Sequence, residues 1–142
     1  MALKLNISNK GKAWKLEVEG DVLSGKSVGE TFDGKEIKQE LSGYELKITG
    51  GSDIAGFPMM EKVEGIGLRR VLLKKGWGMS DSIKGIRRRK TVRGKSIAEK
   101  IVQVNINVVK EGTKKLEEIF PEQNKPKEEA VSESRVEEEK KE

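Results

Sequence analysis

Short alternations of apolar and polar residues, each ended by a glycine or another turn-forming residue, limit this chain to short strands. Leu3, Leu5 and Ile7 alternate with polar residues, and residues 14–18 repeat the pattern after a turn at 9–11. Alternation with a period of two is typical of strands that bury one face, and two such runs joined by a turn indicate a hairpin. The cleanest case is the run IVQVNINV at 101–108, in which Val and Ile alternate with amide side chains.

Three further segments and the end of the chain complete the predicted secondary structure. Residues 44–49 and 69–73 are expected to pair as strands, with 69–73 (RRVLL) apolar enough to be central, and 86–93 is a further strand. Glycines between residues 20 and 34 indicate tight turns, with one helical turn around 21–24.

The number of short strands and glycine-rich turns predicts a mainly β fold. We expect a small closed or nearly closed β-barrel with basic loops in residues 1–110. Residues 111–120 form a short helix in this prediction, with Thr113 as its N-cap and Leu116, Ile119 and Phe120 on one face. Residues 121–142 are rich in Glu and Lys and contain few apolar residues, which predicts an acidic mobile tail.

The composition argues against several classes of chemistry. The 142 residues include no cysteine and no histidine, which excludes disulfides, Cys/His zinc sites and cysteine nucleophiles. The absence of histidine also disfavours acid–base catalysis at neutral pH. No stretch approaches the roughly 20 apolar residues of a membrane-spanning helix, and the first ten residues do not resemble a signal peptide. We therefore expect a soluble intracellular protein that is not an enzyme and needs neither a cofactor nor a metal.

Positive charge is concentrated in one internal segment. The chain has a net charge of +5, yet residues 69–95 alone contain eleven Lys or Arg against a single acid, Asp81, for a net charge of +10. Like charges held close together repel one another unless an anion lies among them. This segment therefore predicts a polyanionic partner.

The run IRRRKTVRGKS at 86–96 allows three interpretations: a nuclear-import tag, a solvated strand face or a phosphate clamp. In an extended strand its cations lie on both faces, which suits an arm along a phosphate backbone, and arginine favours bidentate phosphate contacts. We favour the clamp. The predicted RNA-binding residues are Arg69, Arg70, Lys74, Lys75, Trp77, Lys84, Arg87, Arg88, Arg89, Lys90, Arg93 and Lys95.

Two further features remain open at this level. Trp77 lies between two glycines beside Lys74 and Lys75, and it could stack on an unpaired base or fold back onto the barrel. The glycine-rich loop could approach phosphate oxygens, although a structural role is favoured because no Gly-Lys-Ser/Thr ending follows, and its lone acid is expected to cap a turn. The residues of this loop motif are Gly50, Gly51, Asp53, Gly56, Phe57, Pro58 and Met59.

The segments ITGGSDIAGFPM (48–59), RRVLL (69–73) and RRRKTVRG (87–94), in this order, resemble the ribosomal protein S-six-e family in its short archaeal form. The resemblance covers most of residues 1–110. It implies a small β-barrel that binds ribosomal RNA, beside neighbouring ribosomal proteins, as a structural constituent of the small subunit in the cytoplasm.

Two other functions remain as alternatives. A free basic β-barrel that regulates by binding DNA or messenger RNA would carry the same charge. A metal-dependent nuclease would need clustered acids, whereas the acids of residues 50–95 are spread along the sequence.

Overall fold

The computed structural model describes residues 2–19, 22–121 and 123–124, which form seven strands and one short α-helix. The strands are β1 (Ala2–Asn9), β2 (Lys12–Glu19), β3 (Thr31–Asp33), β4 (Glu45–Asp53), β5 (Leu68–Lys74), β6 (Arg87–Arg93) and β7 (Ile101–Lys110), and the helix is α1 (Leu116–Ile119). Two 3-10 turns, Gly34–Glu36 and Gln39–Leu41, lie between β3 and β4. Strand β3 was not predicted, because a strand of three residues is too short to display a period.

Five strands form the main sheet, in the order β2-β1-β7-β4-β3. The predicted β1–β2 hairpin is confirmed, and β7 lies at the centre, parallel to β1 and antiparallel to β4. Val104 and Ile106 of β7 are fully buried, as their alternation predicted. They pair with Leu5 and Ile7 of β1, so apolar side chains of adjacent strands lie on the same face.

The hydrophobic core lies on this face of the main sheet. Residues from the connection between β2 and β4, among them Leu23 and Leu41, are buried in the same cluster as the sheet residues. Leu116 and Phe120 add the C-terminal segment to it, and Ile119 packs against it. The predicted apolar face of the helix is therefore confirmed.

The second sheet is a separate antiparallel pair formed by β5 and β6. The two sheets do not close on one another, so the predicted barrel is not supported. The expected pairing of β5 with β4 is also wrong, because β7, with three buried apolar side chains, occupies the position beside β4. Of the segment predicted to be a central strand, only Leu73 is buried, and Arg69 and Arg70 are exposed.

The C-terminal helix is shorter than predicted. Strand β7 continues to Lys110, and α1 is a single turn whose N-cap position is Lys115, without a side-chain capping bond. The prediction of Thr113 as N-cap is therefore wrong.

The beginning of the predicted tail lies against the edge of the main sheet. The Gln123 amide donates to the Lys15 carbonyl at 2.8 Å and accepts from the Lys15 N–H at 2.7 Å, and the Asn124 amide donates to the Ala13 carbonyl at 2.8 Å. These bonds satisfy backbone groups at the free edge of β2. The rest of the tail prediction, at 122 and 125–142, lies outside the described residues.

Candidate nucleic-acid interface

Strands β5 and β6, with the residues that connect them, carry most of the predicted RNA-binding side chains; we call residues 68–93 the basic hairpin. The strands pair along their full length, from Leu68 opposite Arg93 to Lys74 opposite Arg87. Like charges directly opposite one another destabilise a strand pair. The Lys74–Arg87 pair therefore favours an anion between or beside its two cations.

One face of the basic hairpin combines four exposed cations with two exposed leucines. The register places Arg70 and Lys74 of β5 on the same face as Arg87 and Arg89 of β6. Leu72, 58% exposed, pairs with Arg89 on this face, and Leu68 is exposed near its end. The described residues leave this face uncovered along most of its length.

The opposite face is partly buried. Leu73 and Val92 are buried there, Lys90 is half-buried, and Arg69 and Arg88 are exposed. The basic hairpin thus presents cations in two directions, and its buried apolar residues, Leu73 and Val92, lie outside the main core cluster.

Acidic side chains neutralise little of this charge within the described part of the chain. Among the described residues, the ion pairs of the predicted RNA-binding cations are Arg88 with Asp81 at 3.3 Å, Lys95 with Glu64 at 3.7 Å, and Arg93 with Asp53. The first two are partly exposed, so water screens them. Of the remaining predicted cations, Lys90 is half-buried and seven are exposed: Arg69, Arg70, Lys74, Lys75, Lys84, Arg87 and Arg89.

Trp77 lies in a two-residue turn after β5. Gly76 and Met79 exchange backbone hydrogen bonds of 3.1 and 3.3 Å across the turn, and both Gly76 and Gly78 have positive φ. Met79 is buried, whereas Trp77 is 52% exposed. The turn therefore presents the indole outward, and the interpretation of Trp77 as a lid folded onto the core does not fit this placement.

Arg93 differs from the other predicted RNA-binding residues because its side chain is buried. Its guanidinium pairs with the carboxylate of Asp53, and the two side chains are 8% and 5% exposed. A second guanidinium nitrogen, Nη1, donates to the carbonyl of Ile66 at 2.8 Å. Arg93 therefore links the end of β6 to the end of β4 and to the loop before β5, and it presents no charge at the surface.

Asp53 has a larger structural role than the predicted turn cap. One carboxylate oxygen accepts from the backbone N–H of Ile54 at 2.5 Å, and the other accepts from Arg93. Its backbone also closes a turn with Gly56 and Phe57. The sequence contains only a weak indication of this ion pair. Asp53 is the single acid of its loop, and Arg93 is separated from the arginine run at 87–89.

The rest of the loop motif packs against the main sheet. A Cβ on Gly51 would lie 2.5 Å from the carbonyl oxygen of Gln103 and 3.0 Å from the sulfur of Met59, which is buried. Phe57 and Pro58 are half-buried, while Gly50 has open space and Gly56 is exposed with a positive φ. These contacts favour the structural interpretation of the motif over phosphate binding.

The loop between β4 and β5 is bound to the residues around the end of β6, a contact that no local sequence pattern predicts. Met60 donates to the Arg93 carbonyl, Lys95 donates to the Val63 carbonyl, and both bonds are 2.8–2.9 Å long. At Gly94 a Cβ would lie only 1.9 Å from the carbonyl oxygen of Gly65. Only glycine allows this approach, so Gly94 fixes where the basic hairpin joins the protein.

Neither a metal centre nor a membrane span is found in residues 2–19, 22–121 and 123–124. No group of three or more acidic side chains among them could hold an ion, and no helix among them is long and apolar enough to cross a bilayer.

Comparison with known proteins places the whole described fold in one family. The profile described as "Ribosomal protein S6e" matches residues 1–121. Three archaeal relatives carry the name "Small ribosomal subunit protein eS6". The protein of Methanosphaera stadtmanae is 42% identical over 91% of this chain and 100% of its own length. That of Methanothermobacter thermautotrophicus is 48% identical over 84% and 96%, and that of Nanoarchaeum equitans is 51% identical over 79% and 82%.

Proposed function

Because the chain belongs to the ribosomal protein S6e family, we propose that this structural constituent of the small ribosomal subunit binds ribosomal RNA through the exposed cations of the basic hairpin. The observation that carries the proposal is the face of Arg70, Lys74, Arg87 and Arg89, which the described acids leave unpaired. A protein surface of this kind gains free energy when phosphates displace their counterions.

The geometry suits a structured RNA better than a single base sequence. A-form RNA is recognised mainly through phosphates, 2′-hydroxyls and shape, for which exposed arginines on a rigid strand pair are sufficient. Trp77, beside Lys75 at the turn, supplies an aromatic surface for one unpaired base. Arg93 is left out of these phosphate contacts because Asp53 already pairs with it in the interior.

The salt dependence of binding tests the proposal. We expect the full chain to bind small-subunit ribosomal RNA, with log affinity falling against log salt at a slope of roughly −4 to −5 if about six phosphates are contacted. A slope near zero would rule out the phosphate mechanism.

Replacing Arg87, Arg88 and Arg89 by alanine should make this slope shallower by about 2 to 3, because three phosphate contacts are lost. Thermal unfolding of the free protein should be unchanged or improved, since these side chains repel one another. The matched control replaces three exposed lysines of the other sheet region, Lys15, Lys35 and Lys47, by alanine. An equal effect of both triple variants would mean that net charge alone drives binding.

Neighbouring ribosomal proteins are further partners in this proposal, and the cytoplasm is the proposed compartment. Sedimentation of a cell lysate tests both against the alternative of a free nucleic-acid regulator. Comigration with the small subunit is the expected result. A protein that remains in the light fractions at low salt would favour the regulator.

A further inference from the structure

A cavity lies beside the basic hairpin, and a buried ion pair forms part of its mostly apolar wall. Its volume is about 670 Å³, within the range of roughly 300–1,000 Å³ that is usual for small-molecule sites. Apolar side chains supply much of its wall, including Leu3, Leu23, Ile97 and Ile101. The buried pair of Asp53 and Arg93 lines the same cavity.

The Arg93 guanidinium has five N–H donors, and two of them are engaged. Its Nη1 and Nη2 groups donate to Ile66 and Asp53, but Nε is buried and has no partner among the described residues. A buried donor without an acceptor destabilises a protein, so such groups are almost always paired. Arg93 lines the cavity, so a ligand there can accept from the N–H groups of the guanidinium that are not engaged.

Asp53 supplies hydrogen-bond acceptors at the same wall of the cavity. Each of its carboxylate oxygens accepts one hydrogen bond in the structure, one from Ile54 and one from Arg93. A carboxylate has about four acceptor positions, so capacity for a ligand donor remains. The wall therefore offers a donor and an acceptor next to one another between apolar surfaces.

We propose that this cavity binds one unstacked nucleobase. A nucleobase is flat, has apolar faces, and carries donors and acceptors side by side on its edge, which matches the paired polar wall and the apolar sides. The Arg93 guanidinium donates to a ring nitrogen or carbonyl of the base, and the Asp53 carboxylate accepts from an amino or imino N–H. The inference rests on the proposed RNA-binding function for the source of the base.

The rim of the cavity supports a base that belongs to a bound RNA. Ile54 lines the cavity and is 58% exposed, so it can contact a base face or ribose, and Lys100 supplies a cation there for a phosphate. Arg93 is the last residue of β6, so a strand of RNA along the basic hairpin leads to this cavity.

Nucleotide titration of the full chain tests the site without depending on ribosomal RNA. We expect nucleoside 5′-monophosphates to shift the NMR signals of Arg93 Nε–H and of the Ile54 and Ile101 amides in a saturable way. Ala98→Leu should weaken this binding by about tenfold or more by filling the cavity while leaving the ion pair in place. Ala55→Leu, at an exposed position of the same wall, is the second filling variant should Ala98→Leu unfold, and Ala13→Leu on β2 is the matched control.

Ribosomal RNA provides the second arm. Ala98→Leu or Ala55→Leu should lower RNA affinity by about fivefold or more without changing the salt slope, because a base contact is lost and the phosphate contacts remain. Ultraviolet crosslinking should attach RNA to the peptide containing residues 97–101 in the parent protein but not in the filling variants. Crosslinking together with nucleotide shifts identifies an RNA base as the occupant, and shifts without crosslinking identify a free nucleotide.

Three results would overturn the inference: no nucleotide-induced shifts at the cavity together with no crosslink there, shifts that persist in both filling variants, or a crosslink from residues 97–101 to a protein. Failure of the proposed function gives a different pattern. In that case the triple arginine variant binds ribosomal RNA like the parent, whereas the nucleotide titration still reports on the cavity.

Discussion

Replacing Asp53 by alanine tests how strongly the buried ion pair holds the basic hairpin to the main sheet. The substitution leaves the Arg93 guanidinium buried, with the Ile66 carbonyl as its remaining partner among the described residues. Removing one partner of a buried pair typically costs about 3–5 kcal/mol, because the other charge stays desolvated and uncompensated. We expect the free energy of unfolding to fall by that amount.

The magnitude follows from the burial of both groups. An exposed pair loses little when it is broken, since water solvates the remaining charge, and measured values are about 0–1 kcal/mol. The Arg88–Asp81 pair, with side chains 56% and 31% exposed, is the internal comparison. Asp81→Ala should therefore cost about 1 kcal/mol or less.

Urea denaturation of the purified full chain, followed by circular dichroism, measures both variants. The double variant Asp53→Ala/Arg93→Met completes the cycle, and it should recover much of the lost stability because apolar side chains often replace a buried ion pair without cost. The reasoning is refuted if Asp53→Ala costs no more than Asp81→Ala, or if the double variant is as unstable as the sum of its two single changes.

Two further predictions concern the packing around the basic hairpin and the acid stability of the main sheet. Gly94→Ala should destabilise the protein by about 1–3 kcal/mol in the same denaturation assay, because its Cβ would clash with the Gly65 carbonyl. The control, Gly50→Ala, adds a Cβ that meets no atom within 4 Å, so it should cost little stability. Equal losses of stability in the two variants would exclude the clash as the cause. Hydrogen bonding from the Lys10 ammonium is the main cause that holds the pKa of Glu111 below its ordinary value of 4.5. This carboxylate therefore contributes stability that is present above pH 4.5 and is lost as the pH falls through its lower folded pKa, so Glu111→Gln should flatten the acid limb of a stability–pH profile, and an unchanged limb would contradict the assignment.

Much of the main sheet could be predicted from local patterns. The alternations of β1, β2 and β7 predicted which side chains face the core. Each of these strands has one face in the core, and successive side chains of a strand point to opposite faces, so apolar residues recur at every second position. The pairing of β5 could not be predicted in this way. Both β6 and β4 are possible partners for an apolar segment, and the choice depends on β7, which is distant in sequence.

Some properties of the candidate interface could likewise be predicted from local sequence, and others depend on tertiary packing. The sequence alone determined that positive charge is concentrated in residues 69–95 and that the cations of 87–93 lie on both faces of a strand, since charge and strand period are local properties. The order of its motifs also indicated the family. The sequence alone did not determine which of these cations are exposed to solvent.

Only the tertiary structure separated Arg93 from Arg87 and Arg89, which share its strand face. Strand periodicity makes the three equivalent, and their difference comes from the loop between β4 and β5, which brings Asp53 and the Ile66 carbonyl to one end of β6. Burial of a charged side chain depends on contacts between residues far apart in sequence, here forty positions between Asp53 and Arg93. For that reason the tertiary packing, and not the residue type, buries Arg93 beside Asp53 while Arg87 and Arg89 remain exposed.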